Sequence, residues 1–368
     1  MSAVRPTGPL DRVAGAHDAA VLAVARRGEP VARAGLADAL QVTPQAISKI
    51  LSRLSDRGLM EEAGTVSWGP GKPTTLYRIV PSSRRAIGLH LSRSRVHGVV
   101  ADLTGAVVAR HEVPITPGDE PAQLLGLLTG AARELARAGD GELLGLGLGM
   151  PGPVDSSAGR PRGAARSDPW HDVPLRDLLV EELRMPVLLD HDSRAALVGE
   201  SWSQPGLLEN AALVLAEDGL GASLRLDGTM VRGAHSQAGE VGHTVVQLGG
   251  VPCPCGRRGC AQAEYRAALD RGDDALAAEV LAAVVLNLVR LLDVDRVVLG
   301  GRSMYAHHAA SMDAVRRALA EGLHGESWVH VEVMLSTRGV DLIAAGAACE
   351  VLEHEYGLPT ALVGPSPE

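Results

Sequence analysis

The sequence predicts an α/β protein with a small helical domain in front of it, and three observations lead to this prediction. At 368 residues the chain is too long for one ordinary hydrophobic core, so two or three domains are expected. From residue 86 onward, strand-like and helical periodicities alternate, which is typical of sheets covered by helices. The charge is uneven: residues 1–80 hold ten Lys and Arg against seven Asp and Glu, whereas the remainder holds 25 against 37.

The composition narrows the class of protein. Hydrophobic residues make up 46% of the chain, but aromatic residues make up only 2% and Phe is absent. Leu, Val, Ala and Ile must therefore build the cores, and stacking surfaces for single-stranded nucleic acid are not expected. The first residues contain no long apolar stretch, so we expect a soluble cytoplasmic protein without a membrane partner.

Residues 18–59 predict three short helices, separated by breaks at residues 28–30 and 41–43. In the third helix Thr43 can act as N-cap with Pro44 at the first helical position, and Gly58 ends the helix. Its apolar residues recur at helical spacing and should be buried: Ile47, Ile50, Leu51 and Leu54. The opposite face carries side chains of the kind that reach base edges and phosphates: Gln45, Ser48, Lys49, Ser52 and Arg53.

Residues 63–79 follow as a hairpin interrupted by Gly and Pro. Three helices followed by a hairpin predict a winged helix-turn-helix, with the third helix in the major groove of double-stranded DNA. Lys72 in the hairpin could then reach the DNA backbone or the minor groove. A small protein-interaction domain is the alternative, but the helix order, the hairpin and the basic charge together favour DNA binding.

The body of the chain predicts a mixed sheet with covering helices. The first part reads as three strands within residues 86–110, a helix at 121–138, a strand at 143–150, a strand at 186–189 and a helix at 193–201. The second part reads as strands at 212–215, 222–226 and 296–301 and helices at 274–292, 307–321 and 340–354.

A metal site is predicted where three of the four cysteines fall within eight residues. Cys253, Cys255 and Cys260 follow His243 by ten to seventeen positions, and glycines between them permit a tight turn. Three thiolates and one imidazole fill the tetrahedral shell that Zn²⁺ prefers, without leaving a position for water, so the zinc would be structural. Buried thiols or a disulfide are the less favoured alternatives.

Four motifs give the chain a resemblance to a known family. They are GLGLGMPGPVD at 145–155, DHDSRAALVGE at 190–200, VRGAHSQAGEVGH at 231–243 and CPCGRRGC at 253–260. In order and spacing they resemble the ROK family (repressors, open reading frames and kinases), and the resemblance covers essentially the whole chain, because the family's repressors also begin with a winged helix.

The resemblance implies an actin-like, ribonuclease-H-like fold of two lobes with a sugar pocket between them. It implies a DNA-binding domain at 1–80, one lobe at 81–200 to which the helix at 340–356 returns, and a second lobe at 201–339 with the zinc site and a dimerisation surface. It also implies the same zinc ligands, His243, Cys253, Cys255 and Cys260, and a homodimer or homotetramer.

Two turns that hold phosphate in the family's kinases are altered. The stretch HLSRS at 90–94 replaces a turn with two glycines and a carboxylate, and EDGLG at 217–221 puts Glu217 and Asp218 where a triphosphate would lie. We therefore expect no ATP-dependent phosphoryl transfer and no catalytic residues.

The effector pocket implied by the resemblance contains His191, Asp192, Arg194, Glu240, His243 and Gln262. Asp192 aligns with the kinases' catalytic base, and its carboxylate could still accept a hydrogen bond from a sugar hydroxyl. His191, Arg194 and Gln262 depart from the family pattern. Arg194 would suit an acidic or phosphorylated sugar, or it could pair with Glu200 or Asp190 on the surface.

The resulting prediction is a repressor of carbohydrate genes that senses a sugar or a sugar derivative. A bifunctional sugar kinase with a DNA-binding domain and a ligand-independent repressor with a decayed pocket are the alternatives.

Overall fold

The computed structural model describes residues 9–67, 73–116, 120–162, 170–217, 219–324 and 328–357. Its N-terminal part contains three helices and a three-stranded sheet of order β1-β3-β2. These elements are α1 (Pro9–Ala25), β1 (Val31–Ala32), α2 (Arg33–Leu40), α3 (Pro44–Asp56), β2 (Met60–Val66) and β3 (Thr74–Ile79). The helix α1 begins nine residues before the predicted first helix, and the two-residue strand β1 was not predicted.

The helix α3 confirms the expected start and burial pattern. Thr43 Oγ1 accepts a hydrogen bond from the backbone N–H of Ala46 at 3.2 Å, and the φ of Gly58 is +67°. The four apolar residues predicted to be buried are at most 4% exposed.

The next part of the chain, which we call the N-terminal lobe, contains a five-stranded sheet of order β10-β7-β4-β5-β6. Strand β7 pairs in parallel with both β4 and β10, whereas β4, β5 and β6 form an antiparallel meander. The elements are β4 (Arg84–Leu91), β5 (Arg95–Asp102), β6 (Val107–Pro114), α4 (Pro121–Ala136), β7 (Glu142–Met150), β8 (Val154–Asp155), β9 (Arg160–Pro161), α5 (Leu175–Leu183), β10 (Val187–His191) and α6 (Asp192–Ser203).

The C-terminal lobe contains a second five-stranded sheet, of order β13-β12-β11-β14-β15. Its elements are β11 (Ala211–Ala216), β12 (Leu220–Leu226), β13 (Thr229–Met230), α7 (Ala261–Asp270), α8 (Asp274–Leu292), β14 (Arg296–Gly300), α9 (Arg302–Ala306), α10 (His308–Gly322) and β15 (Glu332–Leu335), followed by α11 (Leu342–Tyr356). Among the described helices, α8 is long and apolar enough to cross a membrane, but it packs against α7 and α10 and supplies much of this lobe's core.

The last helix, α11, returns to the N-terminal lobe and crosses its sheet at close range. A Cβ at Gly88 of β4 would lie 1.8 Å from the carbonyl oxygen of Ala344, and one at Gly147 of β7 would lie 1.8 Å from that of Ala347. These strands need glycine because the backbone of α11 occupies the space of a side chain. The helix also packs along α6. It therefore contacts both the sheet of the N-terminal lobe and the helix that follows β10.

The N-terminal helices share a hydrophobic core with the lobes. Leu22 of α1 and Leu51 of α3 belong to the same cluster of buried side chains as Trp202 of α6 and Tyr356 of α11. The guanidinium of Arg26 lies 3.5 Å from the centroid of the Trp202 ring. The N-terminal part is therefore packed onto the body, not attached by a linker alone.

Candidate functional site

The four predicted metal ligands come together. The nitrogen of His243 and the sulfurs of Cys253, Cys255 and Cys260 all lie within 4.8 Å of one another. Cys253 Sγ is 3.6 Å from His243 Nδ1, and Cys255 Sγ is 3.6 Å from Cys260 Sγ. Sulfurs bound to one tetrahedral zinc at about 2.3 Å would be separated by about 3.8 Å, whereas a disulfide needs about 2.05 Å. The cluster therefore fits a metal ion, and all four cysteines of the chain are free thiols.

The thiols differ strongly in acidity. A hydrogen bond from the backbone N–H of Arg257 lowers the pKa of the exposed Cys255 thiol to about 6, whereas burial raises the pKa of the Cys260 thiol to about 12. A soft cation would relieve the cost of ionising the buried thiol, since thiolates are its ligands. Gly259 makes the turn possible, because a Cβ there would lie 1.6 Å from the carbonyl oxygen of Gln247.

The metal cluster forms part of a wall of the cleft between the lobes. His243 contacts Cys253 through Nδ1 and also lines a cleft cavity of about 160 Å³. Directly after Cys260, α7 begins and carries Gln262, whose Oε1 accepts a hydrogen bond from the backbone N–H of Leu220 at 3.1 Å. One short segment thus links the metal site to both the pocket and the start of β12.

Five of the six predicted effector residues line the cleft cavity, namely His191, Asp192, Glu240, His243 and Gln262. Arg93 and Glu217 line it as well. The sequence placed these two residues in the altered phosphate turns but not in the effector pocket. Their membership of those two turns was the signal available in the sequence.

His191 and Asp192 lie in direct contact at the base of the cleft, and both are largely buried. His191 Nδ1 lies 2.9 Å from Asp192 Oδ1, and its Nε2 lies 3.7 Å from Glu240 Oε1. Burial opposes both charges, but the pair outweighs it, so the pKa of His191 is raised and the pKa of Asp192 is lowered. A Cβ at Gly152 would lie 2.2 Å from the His191 ring, so glycine there makes room for the imidazole. The cleft can therefore offer carboxylate acceptors and an imidazole to a polar ligand.

The structure does not place Arg194 in the cleft cavity, although it was predicted to be an effector residue. Its side chain is 1% exposed and does not line the cleft cavity, because it turns to the other side of α6 and binds Asp190 Oδ1 at 2.5 Å. It also donates to the carbonyl oxygen of Ser236 at 3.1 Å. The pairing with Asp190 was among the alternatives, but it is buried and not on the surface, and Glu200 instead accepts from Ser336.

The two altered phosphate turns are filled by the chain's own side chains. Ser92 Oγ accepts from the backbone N–H groups of Ser94 and Arg95, at 3.4 and 3.2 Å. Glu217 accepts from the backbone N–H of Arg302 at 2.6 Å and from its guanidinium at 2.8 Å. The backbone N–H groups of Ser94, Arg95 and Arg302 are thus already paired with side chains of the protein itself. Asp218 lies outside the described residues.

The predicted DNA-contacting residues of α3 divide into two groups. Gln45, Lys49 and Ser52 are exposed, and Ser48 is half-buried with its hydroxyl bonded to the Pro44 carbonyl oxygen at 2.8 Å. Arg53 differs, since its guanidinium is held by the buried carboxylate of Asp18 on α1, with Nε 3.0 Å from Oδ2. Arg53 therefore helps to pack α3 on α1, while its side chain is still 40% exposed and its DNA contact stays a prediction. Lys72 lies outside the described residues.

The fold and the cleft define a class of protein: a mixed α/β protein of the sugar-kinase-like kind, with a polar cleft between two lobes and a Cys₃His cluster beside it. Residues 86–267 match the model of the ROK family, so the chain carries a ROK family domain.

The relatives include both regulators and a kinase. A xylose repressor of Caldicellulosiruptor bescii is 26% identical over 62% of this chain and 58% of its own length. A glucokinase of Halalkalibacterium halodurans is 32% identical over 49% of this chain and 56% of its own length. The chain thus matches less than two thirds of the length of these relatives.

A solved structure supports the fold over nearly the whole chain. The crystal structure of a ROK family transcriptional regulator, a homologue of the Escherichia coli Mlc protein, covers 95% of this chain and 98% of its own, with a TM-score of 0.72 and 19% identity. At this identity the likeness shows the fold.

Proposed function

We propose that the protein is a DNA-binding transcriptional repressor of carbohydrate uptake or metabolism genes, whose cleft binds a sugar or a sugar derivative. The observation that carries the proposal is the combination in one chain of an exposed polar face on α3 with a ROK domain whose phosphate-binding turns are filled. The named regulators among the relatives agree with it. A DNA partner implies that the protein acts in the cytoplasm.

The N-terminal part acts as a winged helix-turn-helix in this proposal. The helix α3 enters the major groove and presents Gln45, Lys49 and Ser52 to the bases and phosphates, while β2 and β3 form the wing that carries Lys72. Lys49 and Lys72 are the only lysines of the sequence, and both fall within the residues proposed to form the DNA-binding domain. Two copies, in a homodimer or homotetramer, would read two half-sites.

The cleft acts as a sensor and not as a kinase site. Asp192 accepts from a sugar hydroxyl, and His191, Glu240, His243 and Gln262 complete the polar wall. Ser92 and Glu217 stand in the two altered phosphate turns and bind donors of the protein itself, which supports the absence of phosphoryl transfer. Zinc at the Cys₃His cluster would fix the position of His243, which lines the cleft cavity.

Ligand binding would change DNA affinity by shifting a population of conformers. Ser193 Oγ of α6 donates to the carbonyl oxygen of Ala222 on β12 at 3.0 Å, so the lobes are hydrogen-bonded at the base of the cleft. Because α6 also carries Trp202 in the core shared with the N-terminal domain, closure of the cleft would move both winged helices of an oligomer relative to each other.

Operator binding with and without sugars tests the proposal. DNA fragments selected from the source genome by the protein itself serve as probes, and xylose, glucose and N-acetylglucosamine serve as first effectors. We expect Lys49→Ala to weaken binding, while Arg317→Ala, which removes an exposed charge on α10, leaves it unchanged. Asp192→Asn should keep DNA binding but lose the sugar response. Failure to select any DNA would refute the proposed repressor function. DNA binding that no sugar or sugar phosphate changes would refute the proposed sensing function.

A bifunctional sugar kinase is the second candidate, and Asp192 favours it. Its carboxylate lies in the cleft at the position that aligns with the kinases' base, and a glucokinase is among the relatives. An ATP-coupled assay over a panel of hexoses separates the two functions. Turnover that is abolished by Asp192→Asn would show that the cleft is a kinase active site and not only a sensing site.

A further inference from the structure

A second, larger cavity lies on the other side of β10 from the cleft. Its volume is about 550 Å³, within the range of small-molecule sites, and it shares no lining residue with the cleft cavity. Leu188, Leu189 and Val198 form its apolar wall, and the β12–β13 hairpin and α11 close it. Asp190 faces this cavity whereas the next residue, His191, faces the cleft, because successive residues of a strand point to opposite sides.

Most charges around this cavity already have protein partners. Arg176 donates to the carbonyl oxygens of Ser156, Ser157 and Ala158. Asp190 accepts from Ser156, Arg194 and Arg232. On the hairpin side, the guanidinium of Arg225 lies 3.6 Å from the carboxylate of Glu353.

Glu350 is the exception. It projects from α11 into the cavity lining and is only 8% exposed, yet among the described residues neither of its carboxylate oxygens has a hydrogen-bond partner. An unsatisfied buried carboxyl group costs free energy, and such groups in native proteins are usually satisfied by a ligand or an ordered partner. The hydroxyls of Ser156, Ser157, Thr229 and Ser236 lie around the same cavity.

We propose that this cavity is a second ligand site, which takes a small polyhydroxylated organic cation. Its ammonium group pairs with Glu350, its hydroxyls bond the Ser and Thr side chains, and its carbon skeleton lies on the apolar wall of β10 and α6. The proposal goes beyond the sugar sensor and does not depend on it, since the two cavities are separate.

The electrostatics of Glu350 give the site a pH dependence. Burial raises the pKa of Glu350 well above its usual range, and Asp190 on β10 and Glu353 on α11 raise it further, against Arg232 after β13 and Arg194 on α6. The raised pKa favours the neutral form of Glu350 in the empty site, while a cation binds the ionised form. Affinity for a protonated amine should therefore rise as the pH rises.

The site is placed to influence the N-terminal domain. Cys349 and Val351, the neighbours of Glu350 on α11, belong to the core shared with α1 and α3. A cation bound to Glu350 would therefore contact α11, the helix that packs against the N-terminal domain.

Titration calorimetry with N-methylglucamine, without DNA, tests the site, and sorbitol is the matched neutral polyol. We expect the wild-type protein and Asp192→Asn to bind N-methylglucamine equally and to bind sorbitol far more weakly. Glu350→Gln should weaken N-methylglucamine binding at least about tenfold, the effect of a lost charge-assisted hydrogen bond. Absence of binding to the wild type, equal binding by Glu350→Gln, or equal affinity for sorbitol would each overturn the proposal.

A second variant guards against misfolding of Glu350→Gln. Thr229→Trp adds a large ring at the exposed rim of the cavity and removes no buried contact, so it should fold and still weaken N-methylglucamine binding. Unchanged binding in a folded Thr229→Trp would place the ligand elsewhere. None of these results bears on operator recognition, which is measured separately.

Discussion

At the scale of single residues, Cys255 is the most accessible test of the metal cluster. It is the exposed ligand, whereas Cys253 and Cys260 are buried. Cys255→Ser should therefore remove one of four donors without disturbing a core. We expect the purified variant to lose most of its bound zinc, measured by mass spectrometry of the metals, and to unfold at a lower temperature.

Cys349→Ser is the control for the loss of a thiol. Cys349 is fully buried in α11, where burial raises its pKa to about 11, and it lies outside the cluster. It should cost stability but leave the zinc content at one ion per chain. Equal zinc in Cys255→Ser and the wild type would show that this cluster is not the metal site.

The ionised carboxylate of Asp341 should make the folded protein less stable as the pH becomes acidic. Burial opposes its charge, but hydrogen bonds from Arg110 and His97 outweigh it and hold the pKa of Asp341 below its usual value. A lowered folded-state pKa stabilises the protein above the unfolded-state pKa of about 4, and this stabilisation is lost as the pH falls.

Asp341→Asn should therefore lower the melting temperature at neutral pH, and its deficit should shrink below about pH 4. Asp313→Asn, at an exposed position on α10, is the control and should follow the wild type throughout. Melting curves over a pH series measure both. A deficit that stays constant with pH would mean that packing, not charge, makes Asp341 important.

The site residues differ in how far sequence could predict them. His243 and the three cysteines follow from chemistry and spacing, since few ligand sets fit so short a segment. Arg194 could not be assigned, because a position four residues after Asp190 suits both an exposed and a buried pair. Asp190 also pairs with Arg232, which lies 38 residues after Arg194, and such a distant partner leaves no local pattern in the sequence.

At the scale of elements, the N-cap of α3 should carry a measurable share of the N-terminal domain's stability. Thr43→Ala removes the acceptor for the Ala46 backbone N–H and should cost about 1 kcal/mol. Ser55→Ala, at an exposed position near the end of the same helix, is the matched control. Urea unfolding compares the two, and equal stabilities would contradict the capping role.

The longest apolar helix was predicted well, whereas several short elements were missed. The helix α8 has the predicted bounds, because its apolar pattern runs over five turns. The sequence did not predict α5, α7, α9 or β15. Both α9 and β15 have five residues or fewer, and α7 starts directly from Cys260, so its beginning depends on the metal turn and not on a capping residue.

At the scale of the whole molecule, the shared core couples the N-terminal domain to the body. Trp202 is 2% exposed, its ring lies under Arg26, which directly follows α1, and its Nε1 donates to the carbonyl oxygen of Leu103 at 3.3 Å. Burial lowers the pKa of Arg26 to about 10, which shows how closely the two parts approach. Sequence alone suggested separate domains, since composition changes near residue 80 but side chains that pack across that boundary leave no periodic signal.

The shared core predicts that wild-type protein unfolds in one cooperative transition. Trp202→Ala should remove about 3–5 kcal/mol of packing and separate the transition of the N-terminal domain from that of the body in scanning calorimetry. It should also weaken the effect of a cleft ligand on DNA binding, because the connection between α6 and α1 is lost. Trp328→Ala is the control, since Trp328 is 75% exposed and its loss should change neither property. One unsplit transition and intact coupling in Trp202→Ala would mean that α11, through Tyr356, suffices to join the domains.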